Sequence, residues 1–170
     1  MSLERHRTES KHPLRFAVIT ISDTRDSASD RGGPLLVERL EAAGHAVTMR
    51  EIVKDDADSI TDVVSRAARD ANVDLVLTTG GTGIAPRDVT YPTLVKLFES
   101  DIPGFGELFR ALSFQAIGSA ALLSRAVGGI VGGKVVLALP GSPKALELAL
   151  TAIILPEAGH LVSQSRPAPL

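Results

Sequence analysis

The 170-residue chain contains no cysteine and no tryptophan, and only 4% of its residues are aromatic. The lack of cysteine excludes disulfide bonds, thiolate metal sites and cysteine nucleophiles. So few aromatic side chains cannot form a platform on which nucleic-acid bases stack. Broad nucleic-acid binding requires a basic surface, whereas the formal net charge of this chain is −2. No nucleic-acid partner is therefore expected.

Long apolar runs are also lacking. No run approaches the roughly 18 residues of a membrane helix, and the polar residues 1–13 have no apolar stretch after their basic side chains, unlike a secretory signal. We therefore expect a cytoplasmic protein with no membrane partner and a flexible tail at residues 1–13. Residues 14–165 have the length of a single domain.

The four histidines lie in none of the polar motifs described below; they are His6, His12, His45 and His160. A Ser-His-Asp mechanism or a histidine metal site therefore finds no support in the sequence.

Strand-like and helix-like segments alternate along the domain. Apolar runs predict strands at 16–21, 75–77 and 134–139, and the alternation of residues at 46–53 predicts another strand. Helical periodicity predicts helices at 34–43, from Ser59, at 92–99, at 104–123 with a break at Gly118, and after Pro143. This order predicts an α/β fold, a three-layer αβα sandwich with a mostly parallel sheet.

Four polar loops leave the carboxyl ends of the predicted strands, around Asp23, Asp55, Gly81 and Gly141. In open α/β sheets, ligands bind outside the carboxyl ends of the strands. The sequence therefore directs all four loops to one rim of the sheet.

The most informative loop reads Thr78-Thr79-Gly80-Gly81-Thr82-Gly83. Its glycines allow a tight fold with accessible N–H groups and its threonines add hydroxyl donors, which suits a phosphate or a similar anion. It is not a P-loop, because no Gly-Lys-Ser/Thr follows, and the Rossmann fingerprint is missing from the first loop. The alternative is a plain strand-to-helix turn.

Charged residues beside this loop suit a metal–phosphate site. Arg87 adds a cation for phosphate, and Asp88 adds a carboxylate able to hold a metal ion. Asp55 brings a second carboxylate from another strand end, and the two aspartates make the simplest magnesium site that the chain can build. The alternatives are a helix N-cap for Asp88 and a turn former for Asp55; Asp23 and Asp30 are weaker candidates.

Two further segments predict anion contacts. Arg125 has apolar flanks, a setting that favours an arginine fixed on an anion, although a surface position is the alternative. Pro140-Gly141-Ser142-Pro143 opens the final helix, whose N–H groups suit a phosphate or an adenine edge. A proline-punctuated turn is the alternative for that segment.

At these segments the chain resembles the MoaB/Mog family of molybdenum-cofactor biosynthesis proteins, and the MoaB branch in particular. The resemblance covers nearly the whole chain after Pro13. Its carriers are Ile21-Ser22-Asp23, Ile52-Val53-Lys54-Asp55-Asp56, the loop at 78–83, Pro86-Arg87-Asp88-Val89-Thr90, Pro103-Gly104-Phe105-Gly106-Glu107, Leu123-Ser124-Arg125-Ala126 and Leu139-Pro140-Gly141-Ser142-Pro143. Lys54 departs from the pattern, because many relatives have proline there.

The resemblance implies a molybdopterin-binding, MogA-like fold in a homotrimer or homohexamer. It also implies molybdopterin adenylyltransferase activity, in which ATP and molybdopterin, with Mg²⁺, give adenylyl-molybdopterin and pyrophosphate. The alternative is a non-catalytic molybdopterin-binding or scaffold protein of the same pathway. The resemblance also suggests other molybdenum-cofactor biosynthesis proteins as protein partners.

The resemblance also assigns site residues. Asp55 and Asp88 correspond to the family's two functional aspartates and are the expected catalytic residues and Mg²⁺ ligands. Thr79 to Gly83 are expected to cradle phosphate, Ser124 and Arg125 to hold the molybdopterin phosphate or pterin, and Gly141 and Ser142 to contact the nucleotide. The full set of expected binding residues is Ser22, Asp23, Thr79, Gly80, Gly81, Thr82, Gly83, Arg87, Ser124, Arg125, Pro140, Gly141 and Ser142.

Overall fold

The structure, a computed structural model, describes residues 12–166. The flexible tail predicted for residues 1–13 therefore falls almost entirely outside the described residues. The sheet has six strands in the order β2-β1-β3-β6-β5-β4. Their bounds are β1 Arg15–Ile21, β2 Ala46–Val53, β3 Leu75–Thr79, β4 Ser100–Asp101, β5 Val127–Val131 and β6 Lys134–Leu139.

The central strands run parallel, as predicted. β1 pairs in parallel with β2 and β3, and β3 pairs in parallel with β6. β5 and β4 complete the sheet as antiparallel strands at one edge. The sequence did not predict these two strands, because β4 has only two residues and β5 contains Gly128 and Gly129, and glycine is depleted in strands.

The described residues form six α-helices, four of which connect strands while the last two follow β6. They are α1 Gly32–Ala42, α2 Ala57–Arg69, α3 Thr90–Leu97, α4 Pro103–Ile117, α5 Pro143–Ala149 and α6 Leu155–Ser165. The break predicted at Gly118 is confirmed, because this glycine has a φ of +65° and a 3₁₀ helix, Gly118–Leu123, follows it. The α2 helix begins one turn earlier than predicted, because Asp56 rather than Ser59 caps it and accepts the Ser59 N–H.

Helices cover both faces of the sheet. Alternate side chains of a strand point to opposite faces, so Phe16 and Val18 join one core cluster whereas Ala17 and Ile19 join the other. The first cluster packs under α1, α4, α5 and α6, and the second under α2 and α3. The three-layer αβα sandwich is thereby confirmed.

The last helical segment runs through a π-helical turn, Leu150–Ile154, that joins α5 to α6. The combined helix at 143–165 is long and apolar enough, by length and composition alone, to cross a membrane. Its apolar side chains, among them Leu146, Leu150 and Ile154, pack on the sheet within the first core cluster. Burial against the sheet therefore accounts for the apolar composition of this helix.

His45 closes the turn between α1 and β2. Its Nδ1 accepts the Leu14 N–H at 3.2 Å, and its ring lies 5.3 Å from the ring of Phe16. Burial lowers the pKa of His45 below its usual value. The folded chain therefore favours neutral His45, with a lone pair free to accept the backbone hydrogen bond.

We expect the free energy of unfolding to fall as the pH drops from about 7 to about 5, because the unfolded chain then takes up a proton on His45 that the folded chain resists. His45→Gln keeps an acceptor but does not titrate, so its stability should depend less on pH in this window. Urea unfolding of both proteins across the window measures the difference. Parallel pH profiles would show that His45 makes no such contribution.

Candidate functional site

The loops that follow β1, β2, β3 and β6 meet around a cleft of about 660 Å³. The expectation that these loops share one rim is therefore confirmed. Every residue predicted to belong to the site lines this cleft except Arg125. Asp30 also lies outside it: its buried carboxylate accepts the Thr20 hydroxyl and the N–H groups at the start of α1.

Asp55 is held in place by hydrogen bonds to two other loops, one to a backbone N–H and one to a side-chain carboxylate. Its Oδ1 accepts the Val89 N–H at 3.2 Å, and its own N–H donates to Asp23 Oδ1 at 3.0 Å. Burial raises the pKa of Asp55 above its usual value, and the charges of Asp88 and Asp23 raise it further, although the Val89 N–H opposes this. The helix-initiating role at this turn belongs to Asp56, so Asp55 is left facing the cleft.

Asp88 lies on the other side of the glycine-threonine loop. Its Oδ2 accepts the Ala85 N–H at 3.1 Å, and the N-cap of α3 is Val89, which makes no side-chain capping bond. Asp88 is therefore not a helix cap. One carboxylate oxygen stabilises its own turn, and Oδ1 accepts no hydrogen bond within residues 12–166.

Gly81 and Gly83 allow the loop to pass between the two carboxylates. A Cβ on Gly81 would lie 2.7 Å from Asp55 Oδ2, and a Cβ on Gly83 would lie 2.6 Å from Asp88 Oδ2. Gly81 also has a φ of +66°, a left-handed conformation that favours glycine. These glycines therefore bring the loop backbone against both aspartates.

Arg125 holds the loop through hydrogen bonds to its backbone carbonyls. Its Nε donates to the Gly83 carbonyl at 2.8 Å and its Nη2 to the Asp88 carbonyl at 2.7 Å, while its guanidinium lies 5.3 Å from the centre of the Tyr91 ring. Its backbone N–H also donates to the Thr82 carbonyl. In this structure Arg125 therefore contacts three backbone carbonyls and one aromatic ring of the loop region. Anion binding by Arg125 stays a prediction.

Serines order the two outer loops. The Ser22 hydroxyl accepts the N–H groups of Thr24 and Arg25, and the Ser142 hydroxyl caps α5 by accepting the Ala145 N–H. The segment at 140–143 is thus both a capped helix start and a wall of the cleft.

Sequence reasoning missed part of the lining. Arg25 adds a cation on the β1 side, and among residues 12–166 neither Arg25 nor Arg87 forms an ion pair with a carboxylate. The motif Ser22-Asp23 pointed to this loop, and Arg25 follows two residues later. An apolar wall was also missed; it consists of Phe109, Ile117, Ala120, Ala121 and Leu123.

The acidic residues of the cleft fit a divalent cation that also binds phosphate. No group of three carboxylate or imidazole ligands forms within the described chain. Mg²⁺ commonly uses only one or two carboxylates, with water and substrate phosphates completing its shell. Burial raises the pKa of Asp55 and the charges of Asp88 and Asp23 raise it further; a cation beside Asp55 and Asp88 would relieve that repulsion.

Fold and cleft together define an αβα protein with a large polar cleft at the carboxyl edge of a mostly parallel sheet, where such proteins commonly bind their ligands. Residues 17–160 match a family described as a probable molybdopterin binding domain. Molybdenum cofactor biosynthesis protein B of Bacillus cereus is 49% identical over 95% of this chain and 96% of its own. Its namesake in Bacillus subtilis is 44% identical over 98% of both chains.

Solved structures agree with these relatives. A crystal structure of a molybdenum cofactor biosynthesis protein B superposes with a TM-score of 0.88 at 50% identity, over 91% of this chain and 96% of that one. The tungsten cofactor synthesizing protein MoaB from Pyrococcus furiosus superposes with a TM-score of 0.81 at 36% identity, over 91% and 98% of the two chains. The chain belongs to the MoaB family of molybdenum cofactor biosynthesis proteins.

We expect Gly81→Ala to lower the free energy of unfolding more than Gly133→Ala does. Both glycines have a left-handed φ, +66° and +73°, so both substitutions share that backbone cost. Only at position 81 would the new Cβ meet other atoms, with Thr90 Oγ1 at 2.1 Å, whereas nothing lies within 4 Å at position 133. The added overpacking should cost about 1–3 kcal/mol.

Urea unfolding of the wild type and the two variants tests this expectation. Equal losses would show that Gly81 is required only for its backbone conformation and not for the close approach of Asp55 and Thr90.

Proposed function

We propose that the chain is a molybdopterin adenylyltransferase, which joins the adenylyl group of ATP to the terminal phosphate of molybdopterin and releases pyrophosphate. The observation that supports this best is the arrangement of Asp55 and Asp88 on either side of a glycine-threonine loop inside one cleft. Family membership supports the substrate molybdopterin. The cleft also has the volume typical of sites that hold small organic ligands, about 300–1,000 Å³.

In the proposed reaction, an oxygen of the molybdopterin phosphate bonds to the α-phosphorus of ATP, and the bond from that phosphorus to the β-phosphate oxygen breaks. A phosphate monoester is mostly dianionic at neutral pH, so the attacking oxygen needs no general base. This suits a cleft without histidine or cysteine among its lining residues. The remaining task is to bring two anions together, which positioning and charge neutralisation achieve.

Each wall of the cleft has a part in this proposal. The N–H groups of Thr79 to Gly83 hold phosphate oxygens, and Arg25 and Arg87 supply positive charge. Asp55 and Asp88 hold Mg²⁺, which when bound neutralises phosphate charge and orients the leaving group. The apolar wall from α4 and the 3₁₀ helix accommodates a flat heterocycle.

We expect Asp88→Asn to lower the rate of adenylyl-molybdopterin formation by about 100-fold or more, because it removes one of the two carboxylates that would hold Mg²⁺ against the reacting phosphates. Asparagine keeps an oxygen that can accept the Ala85 N–H, so the fold should be preserved. Purified protein is incubated with molybdopterin, ATP and Mg²⁺, and the product is separated by chromatography. Asp101→Asn, at an exposed residue of edge strand β4, is the matched control.

Wild-type turnover by Asp88→Asn would remove Asp88 from the catalytic site. Molybdopterin binding without any product from the wild type would favour a non-catalytic molybdopterin-binding or scaffold protein.

We also propose that the chain forms a homotrimer or homohexamer. Large apolar side chains are exposed on α4 and the 3₁₀ helix that follows it, among them Phe114 at 60%, Ile117 at 61% and Leu122 at 71%. An apolar patch of this kind marks an interaction surface. Light scattering should give three or six times the mass of one chain, and Phe114→Asp should reduce that mass; a monomeric wild type would contradict the proposal.

A further inference from the structure

Thr90 carries a buried hydroxyl that has no partner. Its side chain is fully buried at the start of α3, and its Oγ1 forms no hydrogen bond within residues 12–166. Buried hydroxyls in native structures nearly always have a partner, because an unsatisfied one lowers stability. An exception next to a candidate catalytic residue therefore requires an explanation.

The neighbouring threonine of the same helix behaves differently. The Thr93 hydroxyl donates to the Val89 carbonyl at 2.7 Å, which is the usual way for a threonine inside a helix to satisfy its hydroxyl. Thr90 makes no such bond and does not cap the helix, since α3 has no side-chain capping bond. The local helix therefore does not account for the Thr90 hydroxyl.

The Thr90 hydroxyl and the Asp55 carboxylate both lie close to the position that a side chain on residue 81 would occupy. A Cβ built on Gly81 would lie 2.1 Å from Thr90 Oγ1, 2.7 Å from Asp55 Oδ2 and 2.9 Å from Asp55 Oδ1. Asp55 Oδ1 already accepts the Val89 N–H, whereas Oδ2 accepts no hydrogen bond within the described part of the chain. An unpartnered donor thus lies beside an unpartnered acceptor.

We propose that Thr90 is a positioning residue for Asp55: its hydroxyl donates to Asp55 Oδ2 and fixes the carboxylate when the cleft holds magnesium–ATP. Rotation about a single side-chain bond redirects a threonine hydroxyl without moving the backbone. Val89 and Thr90 then hold the two carboxylate oxygens from adjacent positions of the chain. The proposal rests on the proposed function, because it assigns magnesium–ATP to the cleft.

The test compares Thr90→Val, which removes the hydroxyl but keeps the shape, with Thr90→Ser, which keeps the hydroxyl. Calorimetry measures magnesium–ATP binding, and adenylyl-molybdopterin formation gives kcat and KM. We expect Thr90→Val to bind magnesium–ATP about tenfold more weakly, the usual effect of losing a hydrogen bond to a charged group. Thr90→Ser should restore most of the affinity, and Thr93→Val, the matched control on the same helix, should bind as the wild type does.

Thermal unfolding separates positioning from a purely structural role. Because valine removes an unsatisfied hydroxyl, Thr90→Val should unfold at the same temperature as the wild type or at a higher one, while binding magnesium–ATP less well. A structural role predicts the reverse, a loss of stability with unchanged affinity.

Wild-type affinity in Thr90→Val, or an affinity in Thr90→Ser as weak as that of Thr90→Val, would overturn the inference. If the wild type binds magnesium–ATP but forms no product, the proposed reaction fails, and the binding comparison still decides the role of Thr90. If the wild type does not bind magnesium–ATP, both proposals are overturned.

Discussion

The parallel pairing of β3 with β1 and β6 is the constraint on which the cleft depends. Register places Thr79 beside Thr20 on one side and beside Leu139 on the other, so three loops leave the sheet at the same level. The Gly80 N–H then donates to the Leu139 carbonyl, which continues the pairing one residue into the loop. A shift of register would separate the glycine-threonine loop from the loop at 140–142, so the cleft is a direct consequence of the sheet.

The cleft brings carboxylates close together, and backbone N–H donors offset part of the free-energy cost of that arrangement. Asp55 and Asp88 each accept one backbone N–H, from Val89 and Ala85. The Val89 N–H favours the ionised form of Asp55, whereas burial and the neighbouring charges of Asp88 and Asp23 oppose it. A cation bound beside Asp55 and Asp88 would offset this repulsion, so the pair of carboxylates suits a divalent cation.

The sequence predicted the parallel strands and their loops well, because each was encoded locally. β2 and β6 have the predicted bounds, since the alternation of β2, the apolar run of β6 and the turn residues that flank them define them. The antiparallel edge was missed because Gly129 serves a tertiary contact: a Cβ there would lie 2.3 Å from the Phe98 ring. The cleft residues were found by motif, but the contacts of Arg125 and the buried hydroxyl of Thr90 depend on packing between distant segments, which no local pattern encodes.

Two features beside the loop at 79–88 reduce stability. Asp55 is close to like charges, and Thr90 buries an unsatisfied hydroxyl. Arg125 supplies a rigid support, because its side chain ties the Gly83 and Asp88 carbonyls together. A lysine at this position could not reproduce both bonds in one plane. Arg125 therefore holds the backbone around Asp88 in one arrangement, and this support compensates for the unfavourable charge of Asp55 and the unsatisfied hydroxyl of Thr90 nearby.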